Sequence, residues 1–179
     1  MDFKRFLKKV ALLTAVSLML FAGCDSNSGQ QGTQSSDVSS SESGDAPQTD
    51  IAPSDVVKAI LAQVSITSAV EKDQSELATY YGKLDTSKVE SAAFCLCGSG
   101  AYPDEIAVIK FKSAADAKNG EEALKARIDS QSKIFKDYTP KEMYKLENSI
   151  VFSKGNYAVL LAVSDNEKAK SIADEKLAG

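Results

Sequence analysis

The feature that most constrains the fold is the uneven distribution of apolar residues along the 179-residue chain. They crowd the first 23 positions, are nearly missing between Asp25 and Asp50, and recur at regular intervals from Ile51 to the end. A core needs apolar side chains that repeat with the period of a helix or a strand. The distribution therefore predicts three segments, residues 1–23, 24–50 and 51–179, of which the last is one globular domain.

The first segment is typical of a secretory signal. Met1 to Lys9 carries four basic residues against one acid, and Val10 to Ala22 is a continuous run of about 13 apolar or small residues. A permanent transmembrane helix needs about 20 apolar residues. We therefore expect a signal peptide, and a permanent span is the weaker interpretation.

This run ends in a short motif that resembles the lipobox of bacterial lipoproteins, Leu20-Phe21-Ala22-Gly23-Cys24. The resemblance implies cleavage between Gly23 and Cys24 and a diacylglyceryl group on the Cys24 thiol. Phe21 departs from the usual Leu, Val or Ile at its position. Two or more acyl chains hold a protein stably on a bilayer, so we expect a lipid-anchored protein at the outer face of the cytoplasmic membrane. The alternative is an ordinary cleaved signal peptide with an incidental cysteine.

The segment from residue 25 to residue 50 is predicted to be a disordered linker. Val38 is its only large apolar side chain, and it has five acids and no Lys or Arg. Such a composition buries too little surface to offset the entropy lost on ordering. As a flexible coil its 26 residues would reach about 30 Å on average.

The charge argues against a nucleic-acid partner. Loss of residues 1–23 changes the formal net charge from −4 to −7. Binding to nucleic acid rests on Lys and Arg side chains that neutralise phosphates. An acidic protein lacks that electrostatic footprint, so we expect no nucleic-acid binding.

The periodicity of residues 51–179 predicts an α+β domain in the order α(α)ββαββα. We expect a roughly four-stranded, largely antiparallel sheet with a long helix on one face and helices at both ends of the domain. Pro53-Ser54-Asp55 indicates the first helix start, and Lys154-Gly155-Asn156 indicates a hairpin. The other predicted elements are a short helix at Glu76–Tyr81, strands at Val89–Cys97 and Ile106–Phe111, a long helix at Ala114–Tyr138, strands at Ile150–Phe152 and Tyr157–Val163, and a final helix after Ser164 or Asp165.

For two of these elements the sequence also predicts which faces are buried. The strand at Tyr157–Val163 is apolar on both faces, which predicts an interior position with both sheet faces covered. A helical wheel of the long helix predicts one face that packs on the sheet. That face is formed by Ala117, Leu124, Ile128, Phe135 and Tyr138.

Histidine is missing from the sequence, which removes Ser-His-Asp and Cys-His catalysis and most zinc and iron sites. The alternative is an acid-based enzyme using Asp104-Glu105 or Glu121-Glu122. Adjacent residues on a strand point to opposite faces, and Glu121-Glu122 is interpreted as a solvated helix surface. We therefore expect no enzymatic activity, no metal and no cofactor.

Cys95 and Cys97 are two residues apart on a predicted strand, so both thiols face the same side. Thiol redox work or soft-metal capture uses such pairs. Their separation of about 6.6 Å along the strand lies near the upper limit for a disulfide. The simpler interpretation is two small apolar side chains in a core strand, and the thiol function is kept as an alternative.

Arg127 is the only arginine after the leader, and Gln131 follows it by one helical turn. One interpretation makes these two residues, with Asn156 and Tyr157 of the hairpin, a candidate recognition patch for an anionic or peptide ligand, since arginine suits bidentate contact, but the structural interpretation is favoured over it. In the competing interpretation Arg127 ties the helix to a carboxylate or to strand-end carbonyls, and Asn156 only supplies the turn.

Several short motifs occur in one order along the domain. Together they resemble the domain of unknown function 4358 family, small lipoproteins of Gram-positive bacteria, over roughly Val56 to Asp165. The resemblance brings no catalytic residues, cofactor or substrate. We expect a non-enzymatic binding or accessory module of the cell envelope with a protein or peptide partner. The motifs are Asp104-Glu105-Ile106-Ala107, Arg127-Ile128-Asp129-Ser130-Gln131, Tyr138-Thr139-Pro140, Asn148-Ser149 and Gly155-Asn156-Tyr157.

Overall fold

The computed structural model describes residues 50–178 as five helices and five strands. The predicted signal peptide, Cys24 and the linker as far as Thr49 lie outside the described residues. Within residues 50–178 no helix combines the length and the apolar character that a bilayer crossing requires. The helices are α1 Pro53–Leu61, α2 Leu77–Tyr80, α3 Ala114–Tyr138, α4 Met143–Glu147 and α5 Asn166–Leu177, and the strands are β1 Ala69–Asp73, β2 Val89–Cys97, β3 Glu105–Phe111, β4 Ile150–Lys154 and β5 Tyr157–Ala162.

All five strands form one antiparallel sheet in the order β1-β2-β3-β5-β4. Helix α3 covers β3, β5 and β4 on one face, and α1 and α5 cover the other. Every residue of β3 and β5 is buried. The predicted α+β class and the interior position of the last strand are therefore confirmed.

The sheet separates two apolar cores because side chains alternate along each strand. On the α3 face, Phe94 and Leu160 pack with Leu124 of α3. On the opposite face, Val108 and Val159 pack with helices α1 and α5. Burial on both faces of the sheet is the main stabilising contribution to this fold.

Helix α3 begins and ends at recognisable signals. The Ser113 hydroxyl accepts a hydrogen bond from the backbone N–H of Asp116 at 3.1 Å, which caps the first turn. The helix ends at Tyr138, and Thr139, which follows it, stands directly before Pro140. Gly120 lets the helix approach the sheet, because a Cβ there would lie 2.3 Å from the Phe111 ring.

The structure corrects the predicted number of strands, the predicted order α(α)ββαββα and the predicted burial of Tyr138. The sheet has five strands and not four, because β1 was not predicted, and α4 was not predicted either. Most of β1 is exposed and its sequence is largely charged, as is common for an edge strand. Tyr138 was expected on the packed face of α3 but is 65% exposed.

Candidate functional site

Two buried ion pairs lie where the chain enters β3. The carboxylates of Asp104 and Glu105 are both buried. The Lys145 ammonium donates to Asp104 at 2.7 Å, and Arg127 donates to Glu105 from Nε at 3.0 Å and from Nη2 at 2.8 Å. The Tyr81 hydroxyl donates to Glu105 at 2.6 Å. Each carboxylate of this predicted acidic pair therefore has its own cation, from a different helix.

Arg127 lies close to two tyrosine rings, with its guanidinium carbon 5.7 Å from the Tyr80 centroid and 5.9 Å from the Tyr81 centroid. Burial acts to lower the pKa of Arg127, but the charge and hydrogen bonds of Glu105, together with the charges of Tyr81 and Tyr80, outweigh it and the pKa is raised. Both Nε and Nη2 are bound to Glu105, and Nη1 has no hydrogen bond within the described residues. Arg127 thus ties α3 to a carboxylate and keeps one donor group spare.

A cleft of about 310 Å³ opens beside Arg127, between the second half of α3 and the turn at residues 98–103. Its walls are mostly apolar or aromatic, and Gln131 contributes an amide. Gln131 is partly buried and makes no hydrogen bond to the described residues. An apolar cleft with a few polar groups is the usual composition of a ligand site. The principal lining side chains are Tyr80, Leu96, Tyr102, Arg127, Gln131, Ile134 and Phe135.

Large apolar side chains are exposed around the mouth of this cleft. Tyr102 and Ile134 line it directly, and the Tyr138 ring contacts that of Phe135 at a centroid distance of 6.3 Å. The Lys145 ammonium lies over two of the rings, 5.5 Å from the Tyr102 centroid and 5.9 Å from the Tyr144 centroid. We call this the tyrosine surface, which comprises Tyr102, Ile134, Tyr138 and Tyr144, exposed by 38%, 57%, 65% and 43%.

The first described residues are fixed to the sheet at another place. The Tyr157 hydroxyl accepts from the Ile51 N–H at 3.1 Å and donates to the Ile51 carbonyl at 2.8 Å. The Lys110 ammonium donates to Asp50 at 2.9 Å and to Glu90 at 2.5 Å. These five residues form what we call the linker clasp, because they hold the point where the predicted linker joins the domain.

The linker clasp and the cleft lie at opposite ends of the sheet. Lys110 is near the end of β3, pairs with Tyr157, and follows Glu105, the first residue of the strand, by five positions. Five strand residues span about 17 Å. Glu105 contacts Arg127 at the edge of the cleft. The chain therefore enters the folded domain at the end remote from the cleft.

The structure does not bring the four predicted patch residues together. Arg127 and Gln131 line the cleft, whereas Asn156 and Tyr157 lie at the hairpin turn beside the linker clasp. Three further residues of the cleft, Tyr80, Tyr102 and Ile134, come from separate elements and were not predicted as site residues. Each is a large apolar or aromatic side chain that the sequence does not assign to the core, and this shared property was the signal that could have identified them as site residues.

The two predicted thiols share one face, in the core beneath α1 and α5, and both are free. Burial raises the pKa of Cys95 to about 11. Burial also acts to raise the pKa of Cys97, but hydrogen bonds from Ser99 and from backbone groups of the following turn lower it. The Cys97 sulfur lies 3.1 Å from the Ser99 hydroxyl. Among residues 50–178 no cluster of three or more metal-ligating side chains is assembled.

The interpretation of Glu121-Glu122 as a solvated helix surface is wrong for Glu121. Its side chain is only 7% exposed, whereas that of Glu122 is 82% exposed. Glu121 accepts hydrogen bonds from Lys118 at 2.9 Å, Ser153 at 2.8 Å and Lys125 at 3.3 Å. It therefore links α3 to β4, and only its neighbour is the solvated residue that was expected.

No curated protein and no solved structure matches the chain. The model of one protein family, described as a domain of unknown function, matches residues 62–164. The matched region begins just after α1, ends just after β5 and includes every residue of the cleft. Since it covers more than half of the 179 residues, the chain belongs to the family of domain of unknown function 4358.

Proposed function

We propose that this chain is an extracytoplasmic lipoprotein, anchored through Cys24 at the outer face of the cytoplasmic membrane. Its folded domain is a non-enzymatic binding module of the cell envelope, with a protein or peptide partner. The basic and apolar leader, the lipobox-like motif and the polar linker support the anchoring. The cleft and the tyrosine surface support the binding role, because tyrosine is enriched in protein interfaces.

The single observation that carries the binding role is the opposite placement of the linker clasp and the cleft. A domain held at the Asp50–Ile51 end presents its other end to the surroundings of the membrane. At that end stand the exposed rings of the tyrosine surface, the spare Nη1 group of Arg127 and the unbound amide of Gln131. Exposed apolar groups around a cleft mark interaction sites.

The anchoring is tested on the full-length protein in its membrane. Growth with an isotope-labelled fatty acid, followed by mass spectrometry, should show a mature chain that begins at an acylated Cys24. The Cys24→Ala variant should lose the label. Label that persists in Cys24→Ala, or a mature chain that retains Met1, would reject the lipoprotein proposal.

The binding role is tested with the lipidated protein and a substitution in the cleft. After crosslinking in intact cells, species captured by the wild type should fall about tenfold with Ile134→Asp, since hot-spot contacts dominate binding. Lys133→Asp is the matched control, because Lys133 is exposed on the same helix and lines no part of the cleft. Equal capture by all three proteins would remove the cleft from the proposal.

A thiol function remains the second candidate, favoured by the hydrogen bonds that lower the pKa of Cys97. A lowered pKa increases the thiolate fraction, which is the reactive form. Cys95→Ala and Cys97→Ala are compared for metal content, oxidation state and cellular phenotype. If Cys97→Ala alone changes any of these while both variants melt alike, the thiol function replaces the binding role. Unchanged values in both variants eliminate it.

A further inference from the structure

The cleft at the tyrosine surface continues into two further cavities along α3. A cavity of about 220 Å³ shares Tyr80 and Arg127 with the cleft. A third, of about 530 Å³, shares Lys83, Ala123 and Ala126 with the second. Cavities that share walls in this way adjoin one another. Together they follow one side of α3.

The length of this depression follows from the helix geometry. Its lining residues on α3 run from Asp116 to Phe135, and at 1.5 Å per residue this span is about 28 Å. The opposite wall is formed by residues 80–88, between α2 and β2, and beyond them by the turn at residues 98–103. We call the three adjoining cavities the α3 groove.

We propose that the α3 groove binds an extended polypeptide segment of about eight residues, at about 3.3 Å per residue. The inference rests on the proposed binding function and names the form of its partner. An α-helix with its side chains is about 10–12 Å across, so it would enter cavities of 220 to 530 Å³ spread over this length with only one of its faces. An extended chain is the thinner conformation.

The lining of the groove changes from apolar to charged along its length, and this change indicates the chemistry of the partner. The tyrosine end is apolar and aromatic, and it suits apolar side chains. The far end has charges of both signs, which suit a charged or polar sequence. A polynucleotide or an anionic lipid needs a net basic surface, and here acids outnumber lysines. The charged residues at the far end are Lys83, Lys88, Lys125, Asp85, Asp116, Glu122 and Asp129.

Polar groups in the cleft, at one end of the groove, match a peptide backbone. The spare Nη1 group of Arg127 is a donor, and the Gln131 amide is both donor and acceptor. An extended chain presents carbonyl and N–H groups at regular intervals. Ala123 and Ala126 of α3 line the middle cavity with small side chains, so a main chain is able to approach the helix there.

Ala126 allows the groove to be tested separately from the cleft. It lines the two farther cavities but not the cleft itself. Ala126→Gln fills the middle of the groove with a helix-compatible side chain. Ala115→Gln is the matched control, because Ala115 lies on the same helix, is exposed and lines none of the three cavities. Ile134→Asp alters only the cleft.

The experiment uses a phage-displayed library of random dodecapeptides selected on the wild-type protein, with calorimetry of the recovered peptides. We expect peptides with apolar residues toward one end and charged residues toward the other. Their binding should weaken about tenfold or more with Ala126→Gln and with Ile134→Asp. The first change overfills the middle of the groove, and the second places a charge in an apolar contact. Binding to Ala115→Gln should equal that of the wild type.

The outcomes separate the two proposals. If Ile134→Asp weakens binding and Ala126→Gln does not, the extended groove is wrong and the cleft-binding function stands. If no peptide is recovered, or if a hexamer of β-1,4-linked N-acetylglucosamine binds with dependence on Ala126, the partner is not a peptide. Equal binding to all variants rejects both the groove and the cleft.

Discussion

Arg127 of α3 and Glu105 of β3 form a two-nitrogen ion pair, at 3.0 Å from Nε and 2.8 Å from Nη2. Their side chains are 17% and 4% exposed. The pair joins the long helix to an interior strand of the sheet, and the same guanidinium forms one wall of the cleft. The stability of the domain and the shape of its candidate site therefore depend on one contact.

Replacing Arg127 by Lys should destabilise the domain by about 1–3 kcal/mol, because a single ammonium cannot reproduce two parallel donors. Arg127→Met should cost more, about 3–5 kcal/mol, since Glu105 would remain buried without its cation. Urea unfolding measures both changes. The exposed Lys133→Met is the control and should leave the free energy of unfolding unchanged. A wild-type value for Arg127→Lys would show that the planar fork contributes nothing.

Asn166→Ala should cost about 2–3 kcal/mol, because it leaves several buried polar groups without partners. The Asn166 carbonyl oxygen accepts from the Val163 N–H at 2.8 Å, and its amide donates to the carbonyls of Lys145 at 3.2 Å and Asn148 at 2.8 Å. The residue therefore joins the start of α5 to α4 and to the end of β5. Thermal melting compares it with the exposed Asn119→Ala, which should melt no lower than the wild type because alanine is the better helix former. Equal melting of both variants contradicts this role.

Gly120→Ala should lower the melting temperature although alanine favours helices by about 1 kcal/mol. The new Cβ would lie 2.3 Å from the ring of Phe111, which is itself buried, and overpacking costs about 1–3 kcal/mol. Gly82→Ala is the matched control, since its nearest neighbouring atom lies 4.0 Å away. Adding Phe111→Leu to Gly120→Ala should recover part of the loss. A stabilised Gly120→Ala would mean that α3 does not approach the sheet as closely as described.

Glu121 should make the domain more sensitive to acid. Burial acts to raise the pKa of Glu121, but hydrogen bonds from Lys118, Ser153 and Lys125 lower it below the ordinary value. A carboxyl with a lowered folded-state pKa stabilises the fold above its unfolded pKa of about 4.3. That contribution is lost as the pH falls through the folded-state pKa.

The stability difference between the wild type and Glu121→Gln should therefore be larger near pH 7 than near pH 3. Urea unfolding at both pH values measures it. Glu122→Gln is the control, because the Glu122 side chain is 82% exposed, and its difference from the wild type should stay near zero throughout. A Glu121→Gln difference that is constant with pH would rule out the contribution of the carboxylate charge.

The sequence predicted those elements whose signals are local. Helix α3 begins after Ser113 and ends before Pro140, and its predicted bounds are those of the structure. The hairpin follows from Gly155, whose φ of 51° is readily adopted by glycine. Strand β1 was missed because its five residues, AVEKD, are mainly charged. Its pairing with β2 from Ala69↔Cys97 to Asp73↔Ala93 depends on the neighbouring strand.

The sequence alone determined the α+β class and the shared face of Cys95 and Cys97, because each follows from a repeat of two or 3.6 residues. Tertiary structure decided which residues form the site. Arg127 contacts Glu105 and lies beside Tyr80, whereas Tyr157 lies at the end of the sheet opposite to the cleft. Contacts between side chains distant in sequence depend on how helices and strands pack, and no local periodicity encodes that packing.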